Sequence, residues 1–342
     1  MTIRWGILGC GDVCEVKSGP AFQKAEGSAL VAVMRRDRRL AEDFARRHGV
    51  PRAYGDAREL IADPDVDAVY IAAPPGNHLE LALEVAAAGK PAYVEKPMAR
   101  SHAECIAMVQ AFERAGQPLF VAYYRRGLPR FVKAKQLLDD GVLGRVQSVE
   151  VRYSSPGQLQ LDPAQLPWRV QAEHAGGGLF LDLASHTLDV LDFWFGPLHD
   201  MTGQAKQLAA RADVEDEVTL RFETASGVSG TGSWNFCAAC RQDWIRVLGE
   251  RGELRLSTFG DAPLEVEIAG AVERFELGHP PHIQQPFIQA MVHALRAGER
   301  TGNAVSAART SLVMDRALMS YYGSRDGAFW QAPERWPGRH AR

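Results

Sequence analysis

The strongest constraint on the fold is a glycine turn that directly follows a short apolar segment near the N-terminus. The segment reads Arg4-Trp-Gly-Ile-Leu-Gly-Cys-Gly-Asp-Val-Cys14. Gly9 permits a tight bend from strand to helix, and Gly11 lets an anionic ligand approach the backbone at the start of that helix. The third small position of the pattern falls on Cys14, which indicates slightly looser packing of helix on strand. By itself the turn fits a dinucleotide-binding loop or an ordinary glycine turn, so the surrounding pattern has to decide.

Strand-like and helix-like segments alternate through the first 122 residues. Amphipathic stretches at 38–48 and 78–88 predict helices, and a capping box at Ser101 and Glu104 opens another. This alternation is typical of a parallel sheet with helices on both faces, so residues 1–122 are predicted to form a Rossmann domain. The predicted strands are Ile3–Leu8, Ala29–Met34, Ala68–Ile71, Ala92–Val94 and Leu119–Ala122.

Residues 123–330 show a different pattern, with longer strand-like runs in which apolar and polar residues alternate. The pattern predicts a C-terminal α+β domain with a mostly antiparallel sheet. Two helices are predicted near its end, at Ile283–Arg296 and Ser306–Tyr322, and residues 331–342 are expected to be a loose tail. The predicted strands are Val146–Tyr153, Glu217–Phe222, Trp244–Leu248 and Leu264–Ile268.

The charge balance points to a small-molecule partner. The chain has 39 Lys and Arg against 42 Asp and Glu, so its net charge of −3 gives no field that would attract nucleic acid or an anionic membrane. No apolar run approaches the ~18 residues of a membrane span. The first predicted strand begins at Ile3 and leaves no room for a signal peptide. We therefore expect a cytoplasmic protein.

The five cysteines do not suggest a disulfide framework, because their number is odd and they are few. Cys237 and Cys240 have C-x-x-C spacing. A zinc site would need two further Cys or His ligands at matching spacing, and a redox motif would begin a helix rather than join two strand-like runs. We therefore expect no metal, and we interpret this segment as a turn that happens to contain two thiols.

Two polar turns follow neighbouring strands of the predicted parallel sheet. Pro74, Asn77 and His78 come after one strand, and Glu95 and Lys96 come after the next. Ligands bind at the carboxyl edge of such sheets. Position therefore favours a functional Lys96 over a surface lysine beside a turn-forming proline.

Another candidate site lies on an apolar helix predicted at 179–195, after Gly176-Gly-Gly178 and before Gly196. Its polar residues share one face about 120° wide, with Asp182 and His186 one turn apart. A histidine near a carboxylate can exchange protons near neutral pH. A face that simply meets solvent explains the pattern equally well. The polar residues are Asp182, Ser185, His186, Asp189 and Asp192.

The end of the second predicted strand indicates the coenzyme. Val33-Met34 runs into Arg35-Arg36-Asp37, where an NAD enzyme usually has an acidic residue for the adenosine ribose. Two guanidinium groups suit a 2′-phosphate, so NADP(H) is favoured over NAD(H), although Asp37 could still reach the ribose. The alternative is a solvated arginine pair at a helix start.

Several motifs together resemble the Gfo/Idh/MocA oxidoreductases over most of the chain. They are Gly9-x-Gly11, Pro74-Pro75-x-x-His78, Glu95-Lys96-Pro97, Trp168-Arg169 and Gly176-Gly177-Gly178-x-x-x-Asp182-x-x-x-His186. The resemblance implies an N-terminal Rossmann domain joined to an α/β domain with an open, largely antiparallel sheet. It also implies a homodimer or homotetramer that pairs the open faces of these sheets.

The resemblance also implies roles for individual residues. Lys96 would polarise the substrate oxygen, His186 would transfer a proton, and Asp182 would orient His186 or bind a substrate hydroxyl. The same three residues, with Tyr124 and Arg126, would bind the substrate. The residues expected to bind the coenzyme are Gly9, Gly11, Asp12, Val13, Arg35, Arg36, Pro74, Asn77, His78, Glu95, Lys96, Trp168 and Arg169.

These expectations describe an NAD(P)-dependent oxidoreductase that moves a hydride between the nicotinamide and a hydroxyl- or carbonyl-bearing carbon of a sugar, cyclitol or related polyol. Two alternatives stay open. One is a glycosidase of the same architecture that keeps NAD bound through turnover. The other is a non-catalytic NAD(P)-sensing regulator, against which the presence of both Lys96 and His186 argues.

Overall fold

The structure is a computed structural model and describes residues 1–337. The strands are β1 Ile3–Leu8, β2 Ser28–Met34, β3 Arg52–Tyr54, β4 Ala68–Ile71, β5 Ala92–Val94, β6 Leu119–Val121, β7 Val146–Ser154, β8 Leu198–Lys206, β9 Glu217–Thr224, β10 Ser229–Asn235, β11 Gln242–Gly249, β12 Gly252–Leu256, β13 Leu264–Ile268 and β14 Ala271–Phe275. The helices are α1 Asp12–Val16, α2 Gly19–Lys24, α3 Arg38–His48, α4 Ala57–Ala62, α5 His78–Ala87, α6 His102–Ala115, α7 Pro129–Asp139, α8 Ala172–Ala175, α9 Leu179–Phe195, α10 Gln285–Arg296, α11 Ala304–Tyr322 and α12 Gly327–Gln331.

The chain forms two compact units. The first comprises residues 1–99, 104–128 and 279–308, and the second comprises residues 100–103, 129–278 and those from 309 onwards. The mixture of helices and strands confirms the α/β class. The division of the chain differs from the predicted single boundary at residue 122. Residues 279–308 return to the first unit.

The first unit contains a six-stranded parallel sheet in the order β3-β2-β1-β4-β5-β6. Strands β1, β4, β5 and β6 are mostly or fully buried, as expected for a sheet covered on both faces. Strand β3 was not predicted, because three half-buried residues carry no readable alternation. The strand order places the reversal between β1 and β4, where doubly wound sheets bind their ligands.

Helix α10 packs in the first unit, although the sequence pattern assigned it to the second domain. Ile288, Met291 and Val292 are buried in the same apolar cluster as Trp5 and Phe22. The correction has a simple reason, because an amphipathic pattern predicts that one face of a helix is buried but not which core buries it.

The second unit contains an eight-stranded sheet in the order β14-β13-β12-β11-β7-β10-β9-β8. Strands β7 and β10 run parallel and every other described pair is antiparallel, which confirms the mostly antiparallel prediction. Helix α9 packs against one face, where Phe180 meets Trp234 edge-on with ring centroids 5.1 Å apart.

The other face of this sheet carries a polar groove of about 750 Å³. Glu150 and Arg152 alternate along one face of β7, Thr219 and Arg221 alternate along one face of β9, and all four line the groove. Trp244 contributes the large apolar surface among the lining residues.

The C-terminal segment is more ordered than expected as far as the structure describes it. Trp336 is 3% exposed, and its indole Nε1 donates a hydrogen bond of 2.7 Å to the carbonyl oxygen of Phe329. The two rings stack with centroids 5.5 Å apart. Trp336 thus anchors this segment, which corrects the expectation of a loose tail at that residue, while Gln331, Glu334 and Arg335 are exposed. Residues 338–342 lie outside the described residues.

No helix within residues 1–337 is both long and apolar enough to cross a membrane.

Candidate functional site

The glycine turn after β1 approaches the backbone that follows β4. Gly9 has φ of +87°, and a Cβ there would lie 3.1 Å from the backbone nitrogen of Ala73. At Gly11 an added Cβ would meet only the carbonyl oxygen of Gly9, at 3.9 Å. The turn is therefore tight at its first glycine and open at its second, as a loop that admits an anionic ligand to its backbone requires.

The helix that follows the glycine turn is short. Helix α1 has five residues, and the chain bends before α2 begins at Gly19. Cys14 is fully buried in the core cluster. The expectation of slightly looser packing of the helix on the strand stays a prediction. Because α1 is so short, an anion at this turn would be met by the backbone N–H groups of the turn itself.

At the end of β2, Arg35 and Arg36 are exposed. Among residues 1–337 neither guanidinium forms a hydrogen bond or an ion pair. Asp37 is engaged instead, because its carboxylate caps α3 and accepts from the backbone nitrogen of Arg39 at 3.1 Å. The Arg39 side chain also binds it and lowers the pKa of Asp37.

His78 lies beneath the sheet edge. It is fully buried, with Nε2 2.7 Å from the carbonyl oxygen of Ala73 and Nδ1 3.1 Å from that of Met98. Burial lowers its pKa. The ring therefore links the turn after β4 to the turn after β5. It does not lie on the surface where it was expected to border the nicotinamide, because every edge of the ring is covered.

Glu95 is also buried, directly before Lys96. Its Oε1 accepts hydrogen bonds from the Tyr70 hydroxyl at 2.5 Å and from Nε2 of Gln284 at 2.7 Å. The backbone nitrogen of Lys96 lies 3.2 Å from Glu95 Oε2. Glu95 therefore supports this turn from within the protein instead of facing a ligand as expected. Lys96 is half-buried and is joined to Pro97 by a cis peptide bond.

Tyr124 and Arg126 lie in a single turn of 3-10 helix that follows β6. The strand pairing extends to Ala122, whose nitrogen donates to the Val94 carbonyl oxygen at 2.8 Å. The turn consequently begins at the same carboxyl edge as Lys96. Tyr124 is 6% exposed and Arg126 is half-buried.

In the second unit, α9 begins after three glycines that fit closely packed surroundings. Gly176 has φ of +89°, and a Cβ there would lie 2.8 Å from the carbonyl oxygen of Arg100. The backbone nitrogen of Gly178 donates to Glu215 Oε2 at 2.9 Å. The Tyr322 hydroxyl donates to the same oxygen at 2.5 Å, so the start of α9 is fixed by a buried carboxylate.

The polar face of α9 is buried. Ser185 and Asp189 are fully covered and His186 is 3% exposed. The alternative of a face that meets solvent is therefore wrong. Asp192, at the far end, accepts two hydrogen bonds of 2.8 Å each from Arg309.

Asp182 forms an ion pair with Arg169, which was expected to bind the coenzyme. Arg169 Nε lies 3.6 Å from Asp182 Oδ2, and the same guanidinium lies over the Trp168 ring at 4.5 Å. Arg169 therefore pairs with the carboxylate of the predicted proton-transfer pair, and Trp168 packs against the guanidinium of Arg169. The Asp182 side chain is 22% exposed and that of Arg169 is 50% exposed.

Sequence reasoning missed the loop that packs on His186. The Phe259 ring meets His186 edge-on with centroids 5.9 Å apart. Asp243 holds this loop by accepting from the backbone nitrogens of Thr258 at 3.0 Å and Phe259 at 2.7 Å. An irregular loop fixed by a distant carboxylate has no local pattern, so no signal in the sequence could have identified it.

The C-x-x-C segment has no thiolate character at its first cysteine. Burial, with Asp216 adding to it, raises the pKa of Cys237 to about 12. Both Cys237 and Cys240 are free thiols. A thiol with a raised pKa is a poor nucleophile and a poor metal ligand.

Comparison with known proteins gives a consistent result for both parts of the chain. Residues 3–123 match the family model described as "Oxidoreductase family, NAD-binding Rossmann fold", and residues 131–255 match "GFO/IDH/MocA C-terminal domain". Oxidoreductase P35 of Formosa agariphila is 41% identical over 293 residues, which cover 85% of this chain and 90% of that protein. The trans-1,2-dihydrobenzene-1,2-diol dehydrogenase of Bos taurus is 28% identical over 292 residues, 85% of each chain.

Solved structures show the same fold. A levoglucosan dehydrogenase in complex with NADH superposes with a TM-score of 0.82 at 25% identity, covering 94% of this chain and 97% of that one. The aldose-aldose oxidoreductase from Caulobacter crescentus, complexed with glycerol, has a TM-score of 0.82 at 23% identity and covers 94% and 97%.

Proposed function

Because the chain belongs to the GFO/IDH/MocA oxidoreductase family, we propose that it is an NAD(P)-dependent dehydrogenase or reductase of a sugar, cyclitol or related polyol. The observation that carries this proposal is His186, a titratable side chain held on the buried face of α9 one turn from Asp182. Relatives that are named as dehydrogenases of a diol and of levoglucosan support a hydroxyl-bearing carbon as the reacting group.

The residues of the first unit fit a nicotinamide dinucleotide. The open space at Gly11 leaves its backbone accessible, which a Cβ-free position at a pyrophosphate site requires. Gly9, Gly11, Asp12, Val13, Pro74 and Asn77 would hold the coenzyme along the sheet edge. When bound, the coenzyme supplies hydride chemistry, and the protein supplies orientation and proton transfer.

The proposed roles of the protein residues follow from their chemistry. In the oxidation direction, His186 takes the proton of the substrate hydroxyl at a ring nitrogen, and the Lys96 ammonium stabilises the charge that develops on the substrate oxygen. In the reduction direction the same groups return the proton. Asp182 keeps a negative charge near the imidazolium, and Arg169 limits that charge by pairing with it.

We favour NADP(H) as the coenzyme. Arg35 and Arg36 are exposed at the end of β2 and neither is engaged with a carboxylate among residues 1–337. Asp37, the acidic residue that could serve a ribose, already accepts hydrogen bonds as the cap of α3. Charge-assisted hydrogen bonds to a 2′-phosphate are worth about 1.5–3 kcal/mol, or roughly ten- to a hundredfold in affinity.

A homo-oligomer that pairs the open faces of the eight-stranded sheets is also part of the proposal. The groove on this face combines arginine, glutamate and threonine side chains with Trp244, a composition that suits a polar self-complementary interface. We propose a cytoplasmic location, with which the five free cysteines agree.

The test is a substrate panel followed at the nicotinamide absorbance band. Sugars, cyclitols, levoglucosan and a trans-dihydrodiol are offered with NAD+ and NADP+, and the corresponding carbonyl compounds with the reduced coenzymes. We expect turnover of at least one hydroxyl compound and none by the Lys96→Ala, His186→Asn double variant. Cleavage of a glycoside with no net change of coenzyme would favour the glycosidase, and coenzyme binding without any turnover would favour the regulator.

A further inference from the structure

Four side chains of the first unit form one hydrogen-bond network behind the Lys96 turn. The Tyr70 hydroxyl and the Gln284 amide both donate to Glu95 Oε1, at 2.5 and 2.7 Å. The Tyr93 hydroxyl donates to Oε1 of Gln284 at 2.9 Å. Tyr70 and Tyr93 are fully buried, Gln284 is 1% exposed and Glu95 is 7% exposed. Solvent therefore offers no substitute partner to any of these groups.

The Gln284 amide can have only one orientation in this network. Its NH₂ group faces a carboxylate oxygen, and its oxygen faces a phenol that remains a donor because burial raises the pKa of Tyr93 well above 10. The reverse orientation would set an amide oxygen against the carboxylate and leave the phenol facing a second donor. The network therefore fixes the carboxylate of Glu95 in a single position.

Gln284 reaches this position because α10 is anchored elsewhere. It directly precedes α10, and its carbonyl oxygen accepts from the backbone nitrogen of Ile288 at 3.0 Å. The apolar side chains of α10 are buried in the cluster around Trp5. The amide of Gln284 is thus a rigid contact from residue 284 to the turn at residue 95.

We propose that Gln284 is a positioning residue for Lys96, acting through Glu95. The carboxylate that Gln284 holds also accepts from the backbone nitrogen of Lys96 at 3.2 Å, so the direction in which the lysine leaves the strand depends on the amide. The role of Lys96 in turnover rests on the proposed function. The effect of Gln284 on the surroundings of Lys96 does not. A misplacement of about 1 Å at a reacting group can cost roughly a hundredfold in rate.

The chain provides a matched control on the same helix. Gln289 also forms hydrogen bonds through both ends of its amide, accepting from the Glu26 nitrogen at 2.7 Å and donating to the Glu26 oxygen at 3.1 Å. Gln289→Met therefore removes the two hydrogen bonds to Glu26 and a third to the His293 ring, without touching the Lys96 turn. Gln284→Met removes those to Glu95 and Tyr93.

The first measurement needs no substrate. Reductive methylation of the full-length protein is followed by peptide mass spectrometry as a function of pH, with Lys90 as the internal reference. We expect Gln284→Met to change the labelling rate of Lys96 relative to Lys90 by about threefold or more, because a displaced carboxylate releases the backbone nitrogen of Lys96 and redirects its side chain. Gln289→Met leaves the ratio unchanged. An unchanged ratio in Gln284→Met overturns the inference.

The second measurement is turnover of the panel substrate. We expect Gln284→Met to lower kcat by about 10- to 100-fold and to leave the coenzyme Kd within about threefold. A full kcat overturns the inference, whereas an active Lys96→Ala variant would overturn the proposed function instead. If Gln284→Met does not fold, Tyr93→Phe removes only the hydroxyl that orients the amide. It must then change the Lys96 labelling ratio, and an unchanged ratio there overturns the inference.

Discussion

Arg169 and Asp182 form an ion pair in which Nε lies 3.6 Å from Oδ2, although the sequence motifs had connected Asp182 only with His186. The pair is partly exposed, so it contributes little to stability. Its consequence for the proposed proton-transfer pair is electrostatic, because in that proposal Arg169 competes with the imidazolium of His186 for the negative charge of Asp182.

Asp182→Asn should therefore lower kcat by about tenfold, less than loss of the histidine itself. With the carboxylate gone, the imidazolium loses a stabilising charge, and the basic group of the pH–rate profile should titrate at lower pH. Arg169→Met should move the same limb to higher pH, because it frees the carboxylate. Shifts in the same direction for both variants, measured from kcat/KM between pH 5 and 10, would contradict this arrangement.

His186→Asn should lower kcat by about 10²–10⁴, the usual range for a lost acid or base, and leave coenzyme affinity within a few fold. Lys96→Ala should cause similar damage. His199→Asn is the control, because His199 is exposed on β8 and binds Asp200. Steady-state kinetics and coenzyme titration separate the effects. Near-normal turnover in His186→Asn would show that the buried histidine is structural.

Arg35→Asp should reverse the coenzyme preference. The substitution removes a cation suited to a 2′-phosphate and adds an acceptor suited to a ribose hydroxyl, so the ratio of NADPH to NADH affinity should fall about ten- to a hundredfold or more. Fluorescence titration of each coenzyme measures the ratio, with Arg46→Asp, at an exposed position of α3, as the control. Tighter binding of NADH by the unmodified protein would remove the basis for this expectation.

His78 should make stability depend on pH. Burial lowers its pKa from 6.5, so the unfolded state takes up a proton before the folded state does. The free energy of unfolding should consequently fall as the pH decreases from about 6.5 towards the lowered pKa, with no contribution from His78 above that range. The difference between the protein and His78→Gln, measured by urea unfolding at pH 7.5 and 5.5, isolates this residue. An equal loss in both proteins would exclude it.

Thr231→Arg should shift the protein towards the monomer. Thr231 is exposed on β10 in the middle of the polar groove, where a bulky charge on both copies of a symmetric interface would repel. Light scattering at micromolar concentration measures the change, and Leu40→Arg, on exposed α3, is the control. A protein that is already a monomer before substitution would end the proposal of paired sheet faces.

The sequence predicted the bounds of helices and strands better than it predicted what their side chains contact. Helix α9 was predicted with its observed bounds at both ends, and β1, β4 and β13 also matched, because apolar periodicity and glycine stops are local signals. The burial of the polar face of α9 could not be predicted, since a polar stripe looks the same against water and against other polar groups.

Pairings across long sequence separations were also beyond reach. The contact between Gln284 and Glu95 joins residues that are far apart in the chain. No local sequence pattern around either residue indicates the other as its partner. His78 was recognised as part of a motif, but the sequence could not show that both ring nitrogens meet backbone carbonyl oxygens. The motifs selected candidate residues, whereas the contacts of these residues depend on tertiary packing.

The return of residues 279–308 to the first unit has a consequence for synthesis. The parallel sheet is translated early, but the helix that covers Trp5 and Phe22 leaves the ribosome only after the entire eight-stranded sheet. Until then the nascent chain carries an uncovered apolar patch, and such surfaces promote aggregation during folding. A fragment that ends at residue 128 would therefore lack the helix that covers this apolar patch. In the full chain, the face of the sheet that α10 later occupies is open to a chaperone until α10 has been synthesised.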